Sequence, residues 1–397
     1  MALEQTVTFL HTSDFQLGMI RHDLHGAAQN RFSDDRLGVI RRLGEECVAH
    51  GCAFMVVAGD VFEHPTLEPS TTQAALDAFA QVPVPVVLLP GNHDPLIPRS
   101  LMDQISRGEV GENLTVLRDS EPVTIAEGVE LVGAPLHSKY SEVDLVAEAL
   151  SPLEPTDSIR ILLAHGQMDA RSDDHPSAII SRQRVTEALD RGVIDYVALG
   201  DTHSAMPLDA SRRIWFSGSP ETTDYCDLSG GTPSNETNSG TALIVSVTKS
   251  SALDARVDVT ELNTGRWTWE ALEWNLSCRE DIDEALAQLR SYPDKQRTVI
   301  KYRVRGVLSA TDMEYFHASI RDLEPVFACL RVRGDFSELL VEPQEDELDE
   351  LGLTGFAAEA FEDLRAKAAT GQGDEAETAK NALHLFFRLA KKAREDH

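Results

Sequence analysis

The chain has 397 residues, 42% of them apolar, which is enough for two or three domains with a sizeable core. Lys and Arg number 36 against 66 Asp and Glu, a net charge of −30, which discourages diffuse attraction to nucleic acid: a polyanion would have to meet a local basic patch, a metal site or a partner that delivers it. No run approaches the roughly 20 apolar residues of a membrane span, no charged start leads into a signal segment, and Cys47, Cys52, Cys226, Cys278 and Cys329 form no CxxC pair, so a soluble cytoplasmic protein with reduced thiols and no membrane partner is expected.

Up to about residue 220, apolar runs alternate with amphipathic segments. "VTFL" at 7–10, "FMVVA" at 54–58, "VPVVLLP" at 84–90, "IRILLA" at 159–164 and "YVALG" at 196–200 read as strands. Segments 34–50, with Leu37, Ile40 and Leu43, and 70–81 have helical spacing between them. The alternation predicts a layered α/β domain around a largely buried sheet. Short strands at 115–117, 123–125 and 129–134 are expected to add antiparallel pairs. Residues 229–240, "SGGTPSNETNSG", are small and polar and predict a mobile loop inside a strand pair.

After "GTALIVSV" and "ARVDVTEL" the chain changes character near residue 270. "WEALEWNL", a helix opened by a capping box from Ser277 to Glu280, "TVIKYRVRG", a second helix and "ACLRVRG" predict a small α+β domain to about 342. The acidic stretch "EPQEDELDELG" separates it from two tail helices, 355–369 and 374–395, broken by "GQG". In the second, Leu383, Phe386, Phe387 and Ala390 make one narrow apolar stripe, which either packs on the protein's own body or meets a partner helix.

Each strand candidate of the first part ends in potential ligands. Asp14 and Gln16 follow the first, Asp60 the second, Asn92, His93 and Asp94 the third, His165 the fourth, and Asp201 and His203 the fifth. Carboxyl ends of strands share one edge of an open α/β sheet, so these residues can converge. A single Asp after a strand would more often cap the next helix, but five strand ends carrying donors are hard to assign to capping. Carboxylates, imidazoles and amides without thiolates suit manganese, iron or zinc in a catalytic site. Two divalent ions roughly 3.5 to 4 Å apart, sharing a carboxylate, stabilise charge on a phosphoryl group, and Asp60 is the natural bridge.

"SDFQLG", "GDVFE", "GNHD", "AHG" and "LGDTHS", in this order, resemble the motif series of calcineurin-type metallophosphoesterases, and "FSGSPE" after them fits the same pattern. Within that superfamily the chain is most similar to the SbcD-like DNA repair exonucleases, nuclease subunits that work with an SbcC-like coiled-coil ABC-type ATPase. The resemblance implies a layered core of sheets flanked by helices over 1–268, an α+β capping domain over 269–342, and an acidic linker with a helical hairpin over 343–397 that could grip the ATPase. It implies that Asp14 and His203 hold the first metal, Asp60 bridges, Asn92 and His165 hold the second, and His93 gives a proton to the leaving oxygen. His11 and Asp94 would orient neighbours. A homodimer is common in the family.

Two positions depart from the family pattern, which has histidine where this chain has Gln16 and Asp201. Both still offer donor atoms; Gln16 is a weaker neutral ligand, and Asp201 turns the preference toward manganese or magnesium rather than zinc. Manganese is the expected ion, with magnesium or iron as alternatives. Glu63 replaces a frequent Asp and reads as a residue of little consequence.

In the later domain Lys301, Arg303 and Arg305 alternate along one strand face, and Arg331 and Arg333 along another. These rows could contact a DNA backbone or could be a solvated face paired with local carboxylates. Three functional readings follow: a two-metal DNA exonuclease and endonuclease, a phosphoesterase for small nucleotides or phosphoproteins, and a scaffold with a decayed metal site that binds the ATPase.

Overall fold

The structure, a computed structural model, describes residues 4–169, 178–226, 236–333, 338–341 and 355–370, with short pieces between 378 and 386. It divides into two compact units, Met1–Thr268 and Trp269–His397. No described helix is long and apolar enough to cross a membrane.

Unit 1 begins with β1 (Gln5–Thr12), α1 (Ala27–Ala49), β2 (Met55–Val57), α2 (Pro69–Ala80), β3 (Val86–Leu88), α3 (Leu101–Ser106) and β4 (Leu114–Val116). It continues through β5 (Val123–Ala126), β6 (Val129–Ala134), α4 (Leu145–Leu150), β7 (Ile159–His165), β8 (Gln167–Met168), β9 (Ile179–Ile180) and α5 (Arg182–Asp190). The strands β10 (Tyr196–Gly200), β11 (Met206–Pro207), β12 (Ile214–Phe216), β13 (Thr241–Ser251) and β14 (Asp254–Asn263) complete it. One six-stranded sheet has the order β14-β13-β1-β2-β3-β4, the other β11-β12-β10-β7-β6-β5.

The strands are apolar on both faces because each face meets a different core. Val7, Phe9, Val56 and Val87 of the first sheet join Ile161, Leu163, Tyr196, Ala198 and Trp215 of the second in a core between the sheets. The alternate residues turn outward: Leu10, Met55 and Val57 pack with Val39, Ile40 and Leu43 of α1 and Phe79 of α2. Leu162, Val197 and Leu199 pack with Val146 of α4 and Val185 of α5. The result is a layered α/β fold, two sheets face to face with helices on both outer sides.

Strand directions correct one expectation. β4 pairs parallel with β3, and β6 pairs parallel with β7, leaving only β5–β6 antiparallel among the three short strands. The reason is α3: a helical crossover returns the chain to the same end of the sheet before β4, which a tight turn could not do.

Unit 2 holds β15 (Thr268–Leu276), α6 (Arg279–Ser291), β16 (Thr298–Leu308), α7 (Ala310–Leu323), β17 (Cys329–Val332), β18 (Glu338–Val341) and α8 (Phe356–Thr370). Its sheet has the order β15-β16-β17, with β18 also on β16, and Leu286, Ile300, Tyr302, Val304, Phe316 and Ile320 fill its core. The capping box of α6 is shifted by one residue from the expected Ser277 and Glu280: Cys278 is the N-cap and Asp281 the reciprocal partner. The Asp281 carboxylate accepts from the backbone N–H of both Ser277, at 2.7 Å, and Cys278, at 3.2 Å.

In the tail, Phe361 of α8 lies with its ring 5.6 Å from that of Phe386, so that part of the apolar stripe packs on the protein's own chain. Phe387 and Ala390 lie outside the described residues, as do the acidic stretch 342–352 and most of loop 229–240.

Candidate metal centre

β1, β2 and β3 run parallel, as do β7 and β10, so the segments leaving Thr12, Val57, Leu88, His165 and Gly200 collect at one edge of the paired sheets. The turns there are unusual for side-chain-bearing residues: Asp14, Gln16, Asp60 and Asp201 have φ of 55°, 43°, 52° and 93°. Such backbone costs energy at non-glycine residues and persists where the surroundings hold it. Here cross-strand bonds do so, with Asp14 N donating to Gly59 O at 3.0 Å and Gln16 N to Asp60 O at 2.8 Å. The buried guanidinium of Arg36, on α1, donates to the carbonyls of both Phe15 and Gln16.

Asp14, Asp60 and His165 each present a ligand atom within 4.8 Å of the others, and all three are buried. His165 is the hub. Its Nδ1 meets Ala58 O at 2.9 Å, while Nε2 stands 2.8 Å from Asn92 Oδ1, 3.4 Å from Asp60 Oδ2 and 3.7 Å from Asp201 Oδ1. Asp201 reaches across to Asp14, its backbone N–H lying 3.2 Å from each carboxylate oxygen. Gly91 is required beside Asp60, because a Cβ there would lie 2.2 Å from Oδ1 and 2.4 Å from the Asp60 backbone nitrogen.

Electrostatics bind these groups to one another. Burial opposes the charge of His165, yet Asp60, Asp14 and Asp201 together hold it well above the ordinary imidazole range. Burial likewise opposes ionisation of Asp60, but His165 and His93 overcome it and bring that carboxyl below its usual value. Burial dominates at Asp14, which is raised despite the pull of His165 and His203. His203 is lifted to about 9, burial being outweighed by Glu236 first and then by Asp14 and Asp60.

The pocket fits divalent cations on its own chemistry. Its donors are carboxylate and amide oxygens with imidazole nitrogens, a set for manganese, iron or magnesium rather than a soft ion. The side-chain oxygen of Gln16 is also buried without a hydrogen-bond partner, which such a ligand would supply.

His93 borders this group. Its backbone N–H donates to Asp60 Oδ1 at 2.9 Å, and its Nδ1 lies 3.1 Å from Glu63 O and 3.5 Å from Glu63 Oε1. The hydrogen bond to Glu63 outweighs burial and raises His93 to about 9. Glu63 therefore orients His93, more than the sequence suggested. Asp94 accepts from Gly91 N at 2.8 Å and Phe62 N at 3.1 Å, closing the GNHD turn. His11 is fully buried, its Nδ1 3.0 Å from Tyr196 Oη.

Further side chains support the cluster. Gln167 Nε2 donates to Asp201 Oδ2 and, at 3.1 Å, to Thr202 Oγ1. Ser13 Oγ donates to Asp14 and contacts Ser217 Oγ at 2.8 Å, tying the first motif to "FSGSPE". Glu236 accepts from His203 Nδ1 at 2.6 Å. Ser13 and Ser217 stand inside the quoted motifs, whereas Gln167, on β8 beyond Gly166 at a φ of 145°, and Glu236 stand in none.

The basic rows belong to unit 2. On β16 the side chains of Tyr302 and Val304 enter the core while Lys301, Arg303 and Arg305 take the opposite face. Lys301 stands in register with Arg331 of β17, and Arg333 follows that strand, its N–H donating to Tyr302 O at 2.7 Å. Arg303 pairs with Glu273 at 3.5 Å.

Distant likenesses exist among solved structures. TT1561 of Thermus thermophilus is 12% identical with a TM-score of 0.38, over 64% of this chain and 99% of that one. A dimetal phosphatase from Danio rerio is 12% identical with a TM-score of 0.36, over 63% and 98%. Purple acid phosphatase PPD1 from yellow lupin seeds is 13% identical with a TM-score of 0.34, over 65% and 52%. No curated protein matches the chain. The family model described as calcineurin-like phosphoesterase, however, matches residues 7–205, half of the sequence, and spans all five ligand-bearing strand ends. The chain belongs to the calcineurin-like phosphoesterase family.

Proposed function

We propose that the protein is a two-metal phosphodiesterase that cleaves DNA, acting as exonuclease and endonuclease in repair together with an SbcC-like coiled-coil ABC-type ATPase. The observation that carries the reading is the convergence of Asp14, Asp60, Asn92, His165 and Asp201 around one buried pocket at the sheet edge. Asp14, Gln16 and His203 would hold one ion, Asn92, His165 and Asp201 the other, with Asp60 shared. Divalent cations, manganese in this proposal, supply Lewis acidity and positive charge to a phosphodiester there.

The chain's own groups do the rest. His93, fixed through Nδ1 by Glu63, keeps Nε2 available to hold a proton for the departing sugar oxygen. The assignment to DNA rests on the likeness to SbcD-type nucleases and on the cationic rows Lys301, Arg303, Arg305 and Arg331, Arg333, which would meet a phosphate backbone despite the net charge of −30. The tail helices would serve the ATPase.

The test is a manganese-supplemented nuclease assay on single- and double-stranded DNA, alone and with the ATPase, beside a small phosphodiester. Wild type should cut DNA, and His93→Ala should lose cleavage while keeping its manganese. Hydrolysis of the small ester with none of DNA would overturn the DNA assignment; absence of bound ions at millimolar manganese would overturn the enzyme.

A further inference from the structure

Glu236 lies in the stretch "NETNSG", whose small polar residues read as a plain loop. Its carboxylate is nevertheless buried, the residue being 6% exposed, and every contact is specific. Oε1 accepts from His203 Nδ1 and from Thr223 Oγ1, each at 2.6 Å, and Oε2 accepts from Thr223 N at 2.8 Å. A buried carboxylate is costly unless matched in this way, so the arrangement needs a reason beyond closing a loop.

The loop has ties other than that carboxylate. Ala205 N donates to Asn238 O at 2.8 Å, Asn238 Nδ2 returns to Ala205 O at 2.9 Å, and Thr237 N donates to Ser204 Oγ at 2.9 Å. Ser219 N donates to His203 O at 2.9 Å. One backbone bond and two bonds through the Asn238 amide and the Ser204 hydroxyl, none of them from the Glu236 side chain, thus hold residues 237–238 beside 204–205. The side chain adds two bonds from Thr223, which hold the carboxylate, and one from the imidazole of His203.

We infer that Glu236 is a positioning residue for His203: it fixes the proton on Nδ1 and leaves Nε2 as the nitrogen presented to the metal pocket, with Thr223 fixing the carboxylate in turn. An imidazole locked at one nitrogen by a carboxylate is a more basic and better oriented ligand at the other. The inference rests on the two-metal reading, in which His203 is a ligand.

The experiment uses the full chain and manganese chloride, with affinity measured by calorimetric titration and the pair of ions read by low-temperature electron paramagnetic resonance. Wild type should bind two ions with an exchange-coupled signal. Glu236→Ala should weaken one ion about 10- to 100-fold and replace the coupled signal by that of an isolated ion, and Glu236→Gln, which keeps an acceptor for Nδ1–H, should fall between. Should the alanine variant fail to fold, the near-isosteric Glu236→Gln carries the test, weakening one ion while its metal-free circular dichroism spectrum stays that of the wild type. Unchanged affinities and an intact coupled signal in the folded variants overturn the inference. Fewer than two ions in wild type would instead overturn the two-metal reading beneath it.

Discussion

The Nε2 atom of His165 lies 3.4 Å from Oδ2 of Asp60, with neither side chain more than 4% exposed. The charge of Asp60 holds the imidazole and is central to any cation in the pocket. Asp60→Asn keeps the shape and removes the charge. Its manganese content should drop by at least one ion and hydrolysis by about 100-fold or more, several kcal/mol of lost charge stabilisation. Metal analysis and initial rates check this; a variant retaining both ions would show that Asp60 is not shared between them.

Gly59 presses on the other side of His165. At its φ of 95° a Cβ would lie 2.2 Å from Nδ1 and 2.9 Å from the histidine Cβ. Gly59→Ala must therefore displace the imidazole from Ala58 O or move the strand end. Overpacking and left-handed backbone strain together should cost about 2 to 4 kcal/mol in urea unfolding, with manganese affinity reduced alongside. Unaltered stability would mean that this edge yields more readily than its contacts indicate.

His11 gives a pH dependence of definite sign. Burial lowers it to about 3, while in the unfolded chain it titrates near 6.5. Between these values the unfolded state binds the extra proton, so this contribution to stability is full above pH 6.5 and is lost as pH falls, about 2 kcal/mol by pH 5. Asp94 and Glu221, both raised to about 7 first by burial, act in the opposite direction over the same window. The comparison of wild type with His11→Asn, in EDTA at pH 8 and 5, isolates the term: the wild type should lose about 2 kcal/mol more than the variant. Parallel profiles would show that His11 is not buried as a neutral ring.

Lys249 on β13 donates to Asp195 Oδ2 at 2.8 Å, with both side chains fully buried, and also to Ser158 O at 2.8 Å. Lys249→Met leaves a carboxylate stranded in the core and should cost about 3 to 5 kcal/mol. Adding Asp195→Leu should restore much of that loss, because the penalty lies in the unpaired charge. Denaturant unfolding of the two single variants and the double variant closes the cycle; additive losses would refute the coupling.

Much of the site was legible because the chemistry repeats at each strand end. Asp14, Asp60, Asn92, His165 and Asp201 could be nominated from their position after apolar runs, and the structure brings them together. Glu236 and Thr223 could not, since a carboxylate in a polar loop looks the same whether it faces water or an imidazole thirty-three residues away. Strand direction was lost for a similar reason. The run at Leu114–Val116 declares a strand, but only the six-residue α3 before it makes the pairing parallel. Glu63 was undervalued because no pattern in the sequence reports that its backbone carbonyl, at 3.1 Å, and its carboxylate, at 3.5 Å, both meet Nδ1 of His93.

β1, which delivers Asp14, is zipped along most of its length to β13, from Gln5 opposite Lys249 to His11 opposite Leu243. On a ribosome the order of synthesis and the order of assembly are therefore opposed. β1 waits with one edge bare until the nascent chain has passed Ser251, and the stretch that matches the family, residues 7–205, is not by itself a finished folding unit. Truncation at the motif boundary would leave that edge open to other chains, so expression of the short fragment invites aggregation where the longer one folds.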